Sequence, residues 1–131
     1  MKIGELARRA EVGIDTIRYY EREGLLPKAQ RLPSGYRVYA EQDVRRLRFV
    51  RRAKALGFTL PEIRELLALS SRQDDMAGMK AAATAKLADV EAKMAELERI
   101  RAGLEALVAA CPGHGALARC PILNALAEDP A

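Results

Sequence analysis

The sequence contains, at residues 12–21, the stretch Val-Gly-Ile-Asp-Thr-Ile-Arg-Tyr-Tyr-Glu, which predicts a turn followed by a helix. Ile14, Ile17 and Tyr20 recur at helical spacing, and Gly24 ends the pattern. Residues 3–12 show the same spacing and predict a first short helix. Two short helices joined by a glycine-containing turn form the helix-turn-helix pattern, although an ordinary helical hairpin would look the same.

The next segment predicts a small hairpin. Pro33-Ser34-Gly35 is typical of a turn, and Tyr36-Arg37-Val38-Tyr39 alternates as a short strand. A hairpin after a helix-turn-helix is a wing, whose arginines and tyrosines suit contacts with DNA phosphates. The alternative is that the tyrosines pack on the helices, and we expect this of Tyr39 and also of Tyr19.

A third helix is predicted over residues 41–56 and a fourth from Thr59 or Leu60 to about Leu69. The third helix is strongly basic outside its apolar stripe, which is typical of a solvated face or of one that lines a phosphate backbone. Pro61 near the first turn supports the start of the fourth helix. The polar residues 70–75 then predict a linker.

The charge is distributed unevenly along the 131 residues. Residues 1–60 contain 14 Lys and Arg against 7 Asp and Glu, whereas residues 61–131 contain 8 against 11. A basic first half with an acidic remainder favours a nucleic-acid-binding domain attached to a non-binding body. No glycine-rich phosphate loop or nucleophile elbow is present and there is one histidine, so we expect no enzyme.

The sequence favours a cytoplasmic protein with no membrane partner. No apolar run approaches the roughly 18 residues that span a bilayer. Charged residues follow the start of the chain too closely for a signal peptide. In the cytoplasm a disulfide is disfavoured, which gives more weight to metal or redox chemistry for the two cysteines.

Residues 76–110 predict one long amphipathic helix. Its apolar residues follow the alternating three and four spacing of a coiled-coil seam. Such a helix is about 50 Å long and has no partner of similar length in this chain. Pairing with a second copy, as an antiparallel coiled coil, would bury the stripe, so we predict a homodimer.

The two cysteines, Cys111 and Cys120, lie in a loop interrupted by glycine and proline directly after the long helix. Thiolates select soft metals, but two ligands do not complete a tetrahedral zinc site. His114 could add a nitrogen ligand, or it could point to solvent. Two further alternatives are inert packing cysteines and a thiol redox switch, although the loop lacks the Cys-x-x-Cys spacing of redox motifs.

In this order, these features resemble the MerR family of metal-responsive bacterial transcription regulators over the whole chain. The motifs that carry the resemblance are Ile3-Gly4-Glu5-Leu6-Ala7, Thr16-Ile17-Arg18-Tyr19-Tyr20-Glu21, Gly24-Leu25-Leu26, Gly35-Tyr36-Arg37-Val38-Tyr39, Leu56-Gly57-Phe58-Thr59-Leu60 and the Cys111–Cys120 loop with Pro121-Ile122-Leu123.

The resemblance implies a mainly α protein with a winged helix-turn-helix DNA-binding domain (1–70), a linker and dimerisation helix (71–110), and a metal-binding loop with a short terminal helix (111–131). It implies a homodimer on double-stranded promoter DNA that, on binding metal, distorts the DNA so that RNA polymerase can engage it. Carried over by position, the expected DNA contacts are Thr16, Arg18, Tyr20, Arg31, Tyr36, Arg37 and Lys54.

Cys111 and Cys120 match the two loop thiolates of the family's metal site. The partner subunit would cap this site with the start of its long helix, where this chain has Met76 in place of the third cysteine of mercury, zinc, cadmium and lead sensors. Two thiolates with an uncharged cap suit Cu(I), or Ag(I) and Au(I), as in the copper-efflux branch. The eight residues between the cysteines are instead typical of mercury-type members, so Hg(II) is the alternative. Met76 is either a thioether ligand or an apolar lid.

Overall fold

The computed structural model describes residues 1–72 and 74–128 and is mainly helical. In chain order the elements are α1 (Ile3–Ala10), α2 (Ile14–Arg22), β1 (Gln30–Arg31), β2 (Arg37–Val38), α3 (Glu41–Ala55), α4 (Leu60–Ser70), α5 (Met76–Ala110), a 3₁₀ turn (Leu117–Arg119) and α6 (Pro121–Ala127). The predicted fold class, a winged helix-turn-helix followed by a long helix, is confirmed. Its antiparallel coiled coil involves a second copy and remains a prediction.

The chain forms two compact units, which divide between Lys86 and Leu87. The first turns of α5 belong to the first unit, because Met79 and Ala82 pack against its core. The compact units therefore differ from the predicted segments 1–70, 71–110 and 111–131, whose functional division remains a prediction. Gln73 of the predicted linker and residues 129–131 of the last segment lie outside the described residues.

The core of the first unit is mainly aliphatic, because aromatic residues make up 5 % of the chain. Leu6 of α1, Ile17 of α2, Leu47 of α3 and Ile63 of α4 have no exposed surface. Full burial of such a side chain stabilises the fold by roughly 1.5–3 kcal/mol. Because all four helices contribute, the helix-turn-helix is held by α3 and α4 as well as by its own turn.

The hairpin is short and antiparallel. Gln30 pairs with Val38, and Arg31 pairs with Arg37. The sequence predicted the second strand but not the first, which consists of two exposed polar residues. Gly35 has φ 90° in the connecting turn, a conformation that glycine adopts without a steric penalty.

The second unit contains the remainder of α5 and the C-terminal segment. Its part of α5 has no buried residue, and seven of its large apolar side chains are between 38 and 66 % exposed. They are Leu87, Val90, Met94, Leu97, Ile100, Leu104 and Val108. No helix within residues 1–72 and 74–128 is long and apolar enough to cross a membrane.

Candidate functional site

A basic groove lies between α2 and the hairpin. It has a volume of about 770 Å³, and six cationic side chains line it together with Glu21, Tyr36 and Tyr39. The six are Lys2, Arg18, Arg22, Lys28, Arg31 and Arg37. In a helix-turn-helix the second helix, here α2, is the recognition helix. Cationic and hydroxyl groups on such a helix and on a wing are the donors that bind DNA phosphates and base edges.

A buried network holds the wing against α2. The Tyr39 hydroxyl donates a hydrogen bond to Glu21 Oε1 at 2.5 Å, and Arg37 Nη1 lies 3.6 Å from Glu21 Oε2. Burial, together with the hydrogen bond to Glu21, raises the pKa of Tyr39 to about 12. Tyr39 is 4 % exposed, so the prediction that it packs on the helices is confirmed.

Four of the predicted DNA contacts, Arg18, Arg31, Tyr36 and Arg37, line this one groove. Thr16 lies half-buried in the first turn of α2. The structure therefore brings residues from the recognition helix and both strands to one surface. Whether they contact DNA remains a prediction.

Tyr20 is a core residue, as its place in the apolar stripe of α2 indicates, and its contact with DNA remains a prediction. It is 3 % exposed because it lies on the same helical face as Ile17, and Lys54 Nζ lies 5.9 Å from its ring centroid. Lys54 itself is exposed at the end of α3, and its contact with phosphate remains a prediction. Tyr19 is 40 % exposed, so the expectation that it packs on the helices is wrong.

Three lining residues of the groove, Lys2, Arg22 and Lys28, are absent from the predicted contacts. Arg22 lies outside the apolar stripe of α2, and this position in the sequence could have identified it as a residue of the groove. Lys2 and Lys28 precede α1 and β1, where no periodic pattern indicates the direction of a side chain.

The side chains of the two cysteines in the second unit interact. Cys111 follows the last residue of α5, and Cys120 is the N-cap of α6, where its sulfur accepts a hydrogen bond from the Leu123 N–H at 3.5 Å. This bond, with smaller contributions from the Ile122 N–H and the Cys111 side chain, lowers the pKa of the Cys120 thiol. A lowered pKa favours the thiolate, which is the form that binds metal.

Of the other two candidate ligands, His114 forms no metal-binding group with the thiols among the described residues, and the predicted cap by Met76 of the partner subunit remains a prediction. His114 is exposed, and its Nδ1 lies 3.1 Å from the Pro112 carbonyl oxygen. Met76 is 84 % exposed at the start of α5, in the other compact unit of the chain. Within residues 1–72 and 74–128 no three His, Cys, Asp or Glu side chains form a group that could hold a metal ion. The donor set is thus two soft sulfurs, which fit a soft metal ion.

Comparison with known proteins identifies the family. Residues 1–70 match the family described as MerR HTH family regulatory protein, and residues 44–107 match the one described as MerR, DNA binding. The chain belongs to the MerR family. Among relatives, the mercuric resistance operon regulatory protein of Bacillus cereus is 41 % identical over 126 residues, covering 95 % of this chain and 96 % of the relative.

Two further matches show how far the MerR likeness extends. The HTH-type transcriptional regulator HmrR of Rhizobium leguminosarum bv. viciae is 43 % identical over 129 residues and covers 98 % of each chain. The structure of PbrR691 from Ralstonia metallidurans CH34 in complex with lead(II) has a TM-score of 0.87 and 41 % identity. That match covers 97 % of this chain and 99 % of the other.

These matches confirm the predicted transcription regulation and DNA binding, and they support metal responsiveness. Two predicted partners of this MerR protein, promoter DNA and a second copy of the chain, agree with its family, and the predicted contact with RNA polymerase remains a proposal. The relatives are regulators rather than enzymes. They include a protein named for mercuric resistance and one solved in complex with lead(II), so the predicted copper-efflux branch is not decided by likeness.

Proposed function

We propose that this MerR protein binds its promoter as a homodimer and activates transcription by distorting the DNA when Cys111 and Cys120 take up a soft monovalent ion. Cu(I) is the first candidate, followed by Ag(I) and Au(I). The observation that carries the proposal is that the two thiols interact in one loop, where the described residues form no group of three His, Cys, Asp or Glu that could hold a metal ion.

Charge distinguishes a monovalent from a divalent ion at this site. Two thiolates and an ion of charge +1 leave a net charge of −1, which a backbone N–H such as that of Leu123 can stabilise. A divalent ion ordinarily requires further anionic or nitrogen ligands to saturate its coordination. Met76 of the partner subunit would add no charge, whether it acts as a thioether ligand or as an apolar lid.

The basic groove supports a mechanism that depends on the shape of DNA. The groove and the exposed Lys54 supply phosphate contacts, which position the protein on the duplex. Two copies joined through the apolar stripe of α5 would place two such grooves on one promoter. Bending or untwisting the DNA between them would then depend on the dimer rather than on new base contacts.

Anaerobic titration with Cu(I) against a competing chelator tests the site. We expect one tight ion per loop in the wild type and loss of this binding in both Cys111→Ser and Cys120→Ser. His114→Ala is the matched loop variant and should bind as the wild type does. Tight binding that survives in either cysteine variant would refute the two-thiolate site.

Hg(II) is the second candidate. Mercury accepts linear coordination by two thiolates, the spacing of eight residues is of the mercury type, and a relative is named a mercuric resistance regulator. A promoter-reporter panel of Cu(I), Ag(I), Hg(II), Zn(II) and Pb(II) separates the two. Induction by Hg(II) alone would replace the first candidate by the second.

The interaction between the thiols also permits a redox switch on the same scaffold. In this case a mild oxidant would form a Cys111–Cys120 disulfide and change transcription without metal. Mass mapping of the oxidised protein, together with the reporter under oxidant and chelator, tests this alternative. A reporter that does not respond to oxidant would exclude it.

A further inference from the structure

Lys86 is buried, which is unusual for a lysine. Its side chain is 7 % exposed, and it is the only buried residue of α5. Lysine is almost never buried unless its charge is paired. Lys86 is also the last residue of the first compact unit, so it lies where α5 leaves the DNA-binding body.

Lys86 contacts the loop that joins α3 and α4 and the first turn of α4. Its Nζ lies 2.7 Å from Glu62 Oε1 and 5.6 Å from the centroid of the Phe58 ring. The same oxygen of Glu62 accepts a hydrogen bond from the Thr59 N–H at 2.8 Å. One carboxylate oxygen thus joins the long helix to the N-cap of α4. We call this arrangement of Lys86, Glu62, Thr59 and Phe58 the Lys86 tether.

The electrostatics agree with this geometry. The hydrogen bond from Lys86, followed by those from Thr59, lowers the pKa of Glu62 to about 2. The carboxylate is therefore charged throughout the physiological range. A charge-assisted hydrogen bond is directional, so it adds a defined orientation to the apolar contacts that Met79 and Ala82 make with the core.

The loop at the far end of the tether directly follows α3. Gly57 has φ 91°, which reverses the chain directly after α3. Lys54, an expected phosphate contact, precedes this reversal in the last turn of α3. A rotation of the start of α5 must therefore either break the tether or move the loop that follows Lys54.

We propose that Lys86 is a positioning residue that sets the orientation of α5 on the α3–α4 loop and thereby couples ion binding at the cysteines to the state of the bound DNA. The inference rests on the proposed function, because it requires a signal that starts at Cys111 and Cys120. Such a coupling is a ratio of ion affinities between free and DNA-bound protein, and in allosteric proteins it is typically about 5- to 150-fold.

The test measures that ratio on full-length dimers. Cu(I) dissociation constants are determined anaerobically with a chelator, with and without an operator duplex selected in vitro by the ion-free wild type. Lys86→Met removes the cation and keeps the aliphatic stem. Glu62→Gln removes the carboxylate charge and keeps an oxygen for the Thr59 N–H. Lys86→Arg retains the charge, and Lys80→Met is the matched control on an exposed lysine of the same helix.

We expect the coupling ratio to fall below about 5-fold in Lys86→Met and Glu62→Gln, and to stay at the wild-type value in Lys86→Arg and Lys80→Met. The Cu(I) affinity of the free dimers should be the same in all five proteins. A merely structural role would lower the unfolding temperature of Lys86→Met without changing its coupling ratio, and that result would overturn the inference. An equal loss in Lys80→Met would also overturn it.

A different result would show that the proposed function itself is wrong. If the wild type does not bind Cu(I), the proposal of a monovalent ion fails, and the same ratio is measured with Hg(II). A reduced ratio in Lys86→Met with Hg(II) would still support the tether. An undiminished ratio with Hg(II) would refute the tether independently of the identity of the metal.

Discussion

Replacing Tyr39 by Phe tests the link between the wing and the recognition helix. The substitution removes the hydroxyl that donates to Glu21 at 2.5 Å and leaves the ring in place. Glu21 is 8 % exposed, and it would retain the more distant Arg37 at 3.6 Å. A hydrogen bond to a charged group contributes roughly 1.5–3 kcal/mol, so we expect the free energy of unfolding to fall by about 2 kcal/mol.

Urea unfolding at fixed dimer concentration, followed by circular dichroism, measures this change. Tyr36→Phe is the control, because the Tyr36 side chain is 64 % exposed and lies on the same hairpin. It should change stability by less than about 0.5 kcal/mol. If Tyr39→Phe destabilises no more than Tyr36→Phe, the buried network does not hold the wing and this interpretation is wrong.

Four further predictions address other parts of the chain. Leu47→Ala, at a fully buried position, should destabilise the protein by about 2–5 kcal/mol in the same urea assay. Thr59→Ala removes the N-cap of α4 and should cost about 0.5–2 kcal/mol, near the lower end because the cap bond is 3.4 Å long. Because the pKa of Glu62 is lowered from 4.5 to about 2, the stability that its carboxylate gives the fold is complete above pH 4.5 and is lost as the pH falls towards 2. In Lys86→Met, acid unfolding should therefore show a free energy of unfolding that depends less on pH in this range. Leu97→Glu places a charge in the exposed stripe of α5 and should convert dimers to monomers in sedimentation velocity, whereas a persistent dimer would place the interface elsewhere.

The helices were predictable because their residues repeat with a helical period. The predicted starts at Ile3, Ile14 and Met76 agree with the structure. Pro121 also begins a short final helix, as expected, because proline is favoured in the first turn. These features depend on neighbours in sequence, which the sequence displays directly.

Features that depend on distant partners were not predictable. Lys86 is polar and interrupts no pattern, yet it is buried because Glu62 and Phe58 come together around it. Glu21 lies on a core face of α2 because Tyr39 supplies a hydrogen bond from the hairpin. Periodicity indicates which face of a helix is apolar, but it cannot identify a polar group whose partner folds in from another element.

The candidate site was predicted in part. The cysteines were expected in one loop, and the interaction between them agrees with that expectation. The sequence did not indicate the 3₁₀ turn from Leu117 to Arg119, which precedes Cys120. It also did not indicate that Cys120 caps α6, because Ser, Thr, Asp and Asn are the usual capping residues.

The two thiols consequently differ in what a mutation at each would reveal. Cys120 supplies a hydrogen-bond acceptor to the backbone of α6, whereas Cys111 follows α5 with its own N–H bonded to the Leu107 carbonyl. Serine is a stronger helix cap than cysteine, so a serine at position 120 would abolish soft-metal binding while preserving the terminal helix. Alanine at that position would remove both the soft-metal binding and the cap of the terminal helix. A lineage could therefore lose its response to metal through serine and keep the terminal helix, while a loss through alanine would also weaken α6.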